Sequence, residues 1–101
     1  MSAKPAPVKL VEIRGPTSIF IDAAVKDDDS VEVSGQDVGE APAEMFGDSD
    51  YEYWLNVAPE HKDALVLALL EKLYLDDERT MSKLMALLDA KGIPYRFQTY
   101  A

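Results

Sequence analysis

The hydrophobic period of this chain changes between Val57 and Pro59. From Val8 to Val57 apolar residues alternate with polar ones in short runs, and from Pro59 to Ala90 they recur at helical spacing. Alternation puts successive side chains on opposite faces of a strand, whereas spacing of three and four residues builds one stripe on a helix. Strands gathered before helices indicate an α+β domain: a mainly antiparallel sheet of four to five strands with two helices packed on one face.

The strand-forming half divides at its turn residues. Val8 to Arg14 is rich in β-branched and apolar residues and stops at Gly15-Pro16. Thr17 to Val25 follows, with Ile19 and Ile21 on one face and Phe20 and Asp22 on the other, so an antiparallel pair is expected. Asp27-Asp28-Asp29-Ser30 is a turn cluster, and Val31 and Val33 alternate with Glu32 and Ser34 as a third strand. Gly35 to Asp50 holds three glycines and a proline without a clean period, which reads as a loop with one helical turn near Ala43 to Phe46. Tyr51 to Val57 is the clearest strand, with Tyr51, Tyr53, Leu55 and Val57 on one face and Trp54 on the other, between Glu52 and Asn56.

Pro59 suits the first position of a helix, and Glu60 and Asp63 complement its dipole. Leu65, Val66, Leu69, Leu70 and Leu73 make its stripe. Asp76-Asp77-Glu78-Arg79 interrupts, Thr80 can cap a second helix with Met81, Leu84, Met85, Leu87 and Leu88, and Gly92 and Pro94 end it. Tyr95 to Tyr100 alternates as a last short strand. The expected order is β-β-β-loop-β-α-α-β. Residues 1–7 read as a disordered tail and 8–101 as a single domain, since 101 residues leave little room for a second lobe enclosing a deep active site.

Charge is distributed unevenly over this plan. Asp27 to His61 runs thirty-five residues without Lys or Arg while carrying eleven carboxylates. Residues 1–58 have a net charge of −8 and residues 59–101 a net of −1. Clustered Lys and Arg, which phosphate contacts and anionic membrane surfaces require, are missing, so neither nucleic acid nor a membrane is an expected partner. The absence of cysteine excludes disulfides and thiolate chemistry and fits a reducing compartment. With no apolar segment of signal-peptide type at the N-terminus, the expected location is cytoplasmic.

Three stretches, Ser34-Gly35-Gln36-Asp37-Val38-Gly39, Tyr51-Glu52-Tyr53-Trp54 and Gly92-Ile93-Pro94-Tyr95, carry a resemblance. Over residues 30 to 100 the chain resembles a family of short, acidic, uncharacterised bacterial proteins. That resemblance implies no established activity, cofactor or catalytic residue. Some small acidic bacterial proteins of similar build are immunity proteins to secreted toxins, which favours a binding role.

The chemistry-bearing residues point the same way. Asp48, Asp50 and Glu52 would share one face of a strand, but an EF-hand loop starting at Asp48 would need Gly where Tyr53 stands and Glu where Pro59 stands. His61, the sole histidine, sits among Glu60, Lys62 and Asp63 on the exposed side of a helix start, and no serine lies in a Gly-x-Ser-x-Gly turn. Catalysis, a metal and a cofactor are therefore not expected. Carboxylates interleaved with aromatic rings suit the capture of basic side chains. The expected partner-binding set is Asp37, Glu40, Glu44, Asp48, Asp50, Glu52 and Trp54, facing a basic protein, with the chain itself a monomer or weak homodimer. A divalent-cation-binding domain and a homo-oligomeric structural module using Trp54 are the alternatives.

Overall fold

In a computed structural model, which describes residues 4–47 and 49–100, the chain is α+β. Its elements are β1 (Val8–Ile13), β2 (Thr17–Val25), β3 (Val31–Gly39), α1 (Glu40–Phe46), β4 (Asp50–Val57), α2 (Lys62–Tyr74) and α3 (Thr80–Ala90). A 3-10 turn over Pro59–His61 leads into α2. Two compact units result, one ending at Leu65 and one beginning at Val66.

The first unit is a four-stranded antiparallel meander in the order β1-β2-β3-β4. Short turns suffice because antiparallel neighbours need only a hairpin. The β2–β3 turn is closed by Lys26, whose N–H donates to Ser30 O (2.8 Å), and by Asp28, whose carboxylate accepts from Ser30 N–H (3.0 Å) and Oγ–H (2.6 Å). Asp29 takes the positive φ, 72°, that Asp tolerates better than most residues.

Register assigns the two faces. Val11, Ile13, Ile19, Ile21, Val33, Tyr53 and Leu55 share one side through the pairs Val11↔Ile21, Ile13↔Ile19, Ile21↔Gly35, Gly35↔Tyr53 and Val33↔Leu55. Glu12, Phe20, Asp22, Ser34, Gln36, Glu52 and Trp54 share the other through Glu12↔Phe20, Phe20↔Gln36, Asp22↔Ser34, Gln36↔Glu52 and Ser34↔Trp54. The apolar face is half-buried: among the described residues no large apolar side chain is fully buried, and Leu55 is 64% exposed.

Gly35 to Asp50, expected as a loop with one helical turn near Ala43 to Phe46, has that turn within α1. It is otherwise more regular than expected, with β3 running to Gly39, and contacts with residues distant in the chain account for it. Gly35 lies beneath the Tyr53 ring, where a Cβ would fall 2.0 Å from ring carbon Cε2, so glycine is what lets strand and ring approach. Gly39 turns the chain out of β3 at φ 131°, with its N–H donating to Ser49 O (2.8 Å). The start of α1 is then satisfied from outside: Glu40 N–H donates to Pro16 O (3.1 Å) and Ala41 N–H to Thr17 Oγ1 (2.9 Å). Pro42, buried in the first turn of α1, has no N–H to satisfy there.

In the second unit Asp77 prepares α3. Its carboxylate accepts from Arg79 N–H (2.9 Å) and Lys83 Nζ (2.7 Å), while its carbonyl accepts from Thr80 Oγ1–H (2.5 Å). Thr80 therefore binds back to the preceding turn instead of capping with its own oxygen as acceptor. Past α3, Gly92 has φ 66° and Ile93 N–H donates to Leu88 O (2.9 Å), as the sequence requires of a helix stop. Residues 95–100, expected as a fifth strand, have no regular secondary structure. Alternation alone makes no strand without a ladder partner; Tyr95 is instead hydrogen-bonded to Asp89 of α3, which raises its hydroxyl pKa.

Candidate acidic surface

The expected binding residues divide between faces. Asp50, Glu52 and Trp54 alternate along β4 and stand on the polar side of the sheet. Asp37 stands on the opposite side, where it accepts a hydrogen bond from the Tyr53 hydroxyl at 2.8 Å. The Tyr51 and Tyr53 ring centroids are 5.4 Å apart on that same side. The hydrogen bond to the Asp37 carboxylate, followed by partial burial, raises the Tyr53 phenol above its ordinary pKa. Asp37 is thus already engaged within the sheet. Glu40 and Glu44 lie exposed on α1, and Asp48 is outside the described residues.

Residues of β2 and β3 join Glu52 and Trp54 on the polar face. Phe20, Asp22, Ser34, Gln36, Glu52 and Trp54 line a shallow groove of about 200 Å³. Alternation within Thr17 to Val25 separated Phe20 and Asp22 from Ile19 and Ile21, but only the register β2-β3-β4 puts them beside Trp54. Gln36 Nε2 donates to Asp50 Oδ1 at 2.9 Å, tying β3 to β4 at one end of the groove. Trp54 is 58% exposed.

Some acids of the polar face are paired with bases and others are not. On the β1 side the carboxylate of Glu12 meets Lys9 Nζ (2.9 Å) and Arg14 (3.3 Å), and the Lys9 hydrogen bond and charge hold its pKa below the usual value. Arg14 also lies 5.3 Å from the Phe20 ring centroid. Lys26 pairs with Glu32 at 3.0 Å. Bases thus accompany acids beside β1 and at the end of β3 that follows the β2–β3 turn. Between these pairs, among the described residues, Asp22 of β2 and Glu52 of β4 have no ion-pair partner.

This arrangement suits a cation presented by another molecule. A guanidinium or ammonium lying in the groove would meet the Asp22 and Glu52 carboxylates and the Trp54 ring, combining ion-pair and cation–π attraction. Among the described residues no three acidic or histidine side chains converge on a point suited to a metal ion. No helix among them is long and apolar enough to cross a membrane. No family model, no curated protein and no solved structure matches this chain.

Proposed function

We propose that this chain is a non-enzymatic protein-binding domain whose acidic, aromatic-flanked sheet face engages a basic partner protein in the manner of an immunity protein or inhibitor. The observation that carries the reading is the groove on the polar face, where Asp22 of β2 and Glu52 of β4 lie beside Trp54, with Asp50 further along β4 and no Lys or Arg in the sequence from Asp27 to His61. Complementary charge accelerates encounter, and an aromatic anchor covered on binding slows dissociation.

Capture of partners from host extract at low salt, with mass spectrometry, supplies the ligand; titration then tests the mechanism. Asp50→Asn with Glu52→Gln should slow association several-fold and flatten its salt dependence. Trp54→Ala should instead raise the dissociation rate, by about thirtyfold if Trp54 contributes the roughly 2 kcal/mol of an interface anchor. Unchanged affinity and salt dependence in the double variant would refute the reading.

A further inference from the structure

The two edges of the sheet are built differently. β1 shifts register between Lys9 and Val11, and both an irregularity and an edge lysine discourage another strand from pairing there. β4 has neither. Its pairing with β3 is unbroken from Val38↔Asp50 to Val31↔Val57, and Asp50–Val57 contains no Lys, Pro or Gly. Alternate residues of such an edge turn N–H and C=O away from the sheet, and an extended segment can take them up.

Charge selects the occupant. A strand added beside β4 would place alternate side chains about 5 Å from Asp50, Glu52 and Trp54. A second β4 would add two more carboxylates and bring a second −8 half-chain against the first. Lys or Arg at those positions would instead pair with the acids and lie against Trp54. On its other face the added strand would meet Tyr51, Tyr53 and Leu55, so small or β-branched apolar residues fit between the basic ones.

We propose that the outer edge of β4 is a strand-addition site, taking an extended segment with Lys or Arg at every second position. This rests on the acidic-surface reading and adds the backbone as a second recognition element. A blocked Lys-Val-Lys-Val-Lys-Val peptide is the probe, with a Glu-Val counterpart and a version N-methylated at alternate residues. Saturating basic peptide should slow hydrogen exchange of outward-facing β4 amides at least tenfold, the N-methylated and acidic peptides should not, and Glu52→Lys should weaken binding about fivefold. Three results would overturn the proposal: equal binding of the Glu-Val peptide, no binding of the Lys-Val peptide, or protection of β4 amides that rises with protein concentration alone, which would identify a second copy as the occupant. Salt-sensitive binding lost in the Asp50→Asn, Glu52→Gln protein but without β4 protection would also overturn strand addition, while leaving the acidic surface as the binding face.

Discussion

Replacing Gly35 with alanine isolates the contact that shapes the centre of the sheet. The new Cβ would lie 2.0 Å from Tyr53 Cε2, 2.4 Å from Cζ and 2.8 Å from Cδ2. Carbon atoms in contact sit about 3.5–4 Å apart, so the ring must withdraw by roughly 1.5 Å. The Tyr53 hydroxyl donates to Asp37 across 2.8 Å, and that displacement takes it beyond hydrogen-bonding distance. Overpacking of this kind costs about 1–3 kcal/mol, and a lost hydrogen bond to a carboxylate is comparable, so about 2 kcal/mol of destabilisation is expected. Urea unfolding followed through Trp54, the only tryptophan, measures it in the sheet itself. In a Tyr53→Ala background the obstruction is gone, and alanine should become stabilising by roughly 0.5 kcal/mol or more, because glycine is a poor strand residue. Spectrophotometric titration adds a second readout. The Asp37 hydrogen bond favours the neutral phenol, so its contribution is complete below the unfolded tyrosine pKa of about 10 and disappears as pH rises through the higher folded value. Gly35→Ala and Tyr53→Phe should both abolish that alkaline component. An equal alanine penalty with and without the Tyr53 ring would refute the steric account.

Two further outcomes follow from the same hydrogen-bond inventory. Thr17→Val leaves Ala41 N–H without its acceptor and should cost about 1 kcal/mol in urea unfolding, with Thr17→Ser restoring most of it. Asp77→Ala should reduce the far-ultraviolet helical signal at neutral pH, and the difference from the unaltered protein should vanish in acid. The Lys83 hydrogen bond, then that from Arg79 N–H, lowers the Asp77 pKa, so its stabilisation is present above the unfolded value of about 3.8 and is lost as pH falls through the folded one. A difference that persists at about pH 2 would show that the carboxylate charge is not the cause.

Local chemistry accounts for how much of this could be read in advance. The boundaries of β1, β2 and β4 follow from Gly15-Pro16, the Asp27–Ser30 turn and Pro59, each of which acts through its own backbone preferences. Within Gly35 to Asp50 the helical turn near Ala43 to Phe46 is legible, but the rest of its regularity depends on distant residues: Tyr53 covers Gly35, and Pro16 and Thr17 satisfy the start of α1. The same holds at residues 95–100, where alternation had no ladder to join.

The binding residues separate along the same line. Which side of β4 each side chain takes was legible from alternation, because parity within one strand is a covalent property of the chain. Sequence alone therefore determined that Glu52 and Trp54 share a face, that acids without bases run from Asp27 to His61, and that strands precede helices. Only tertiary structure decided that Asp37 turns away to Tyr53, that Asp22 and Phe20 join Trp54, and that β4 is an edge. Those depend on strand order and register, and hydrogen bonds between segments far apart in the chain set both.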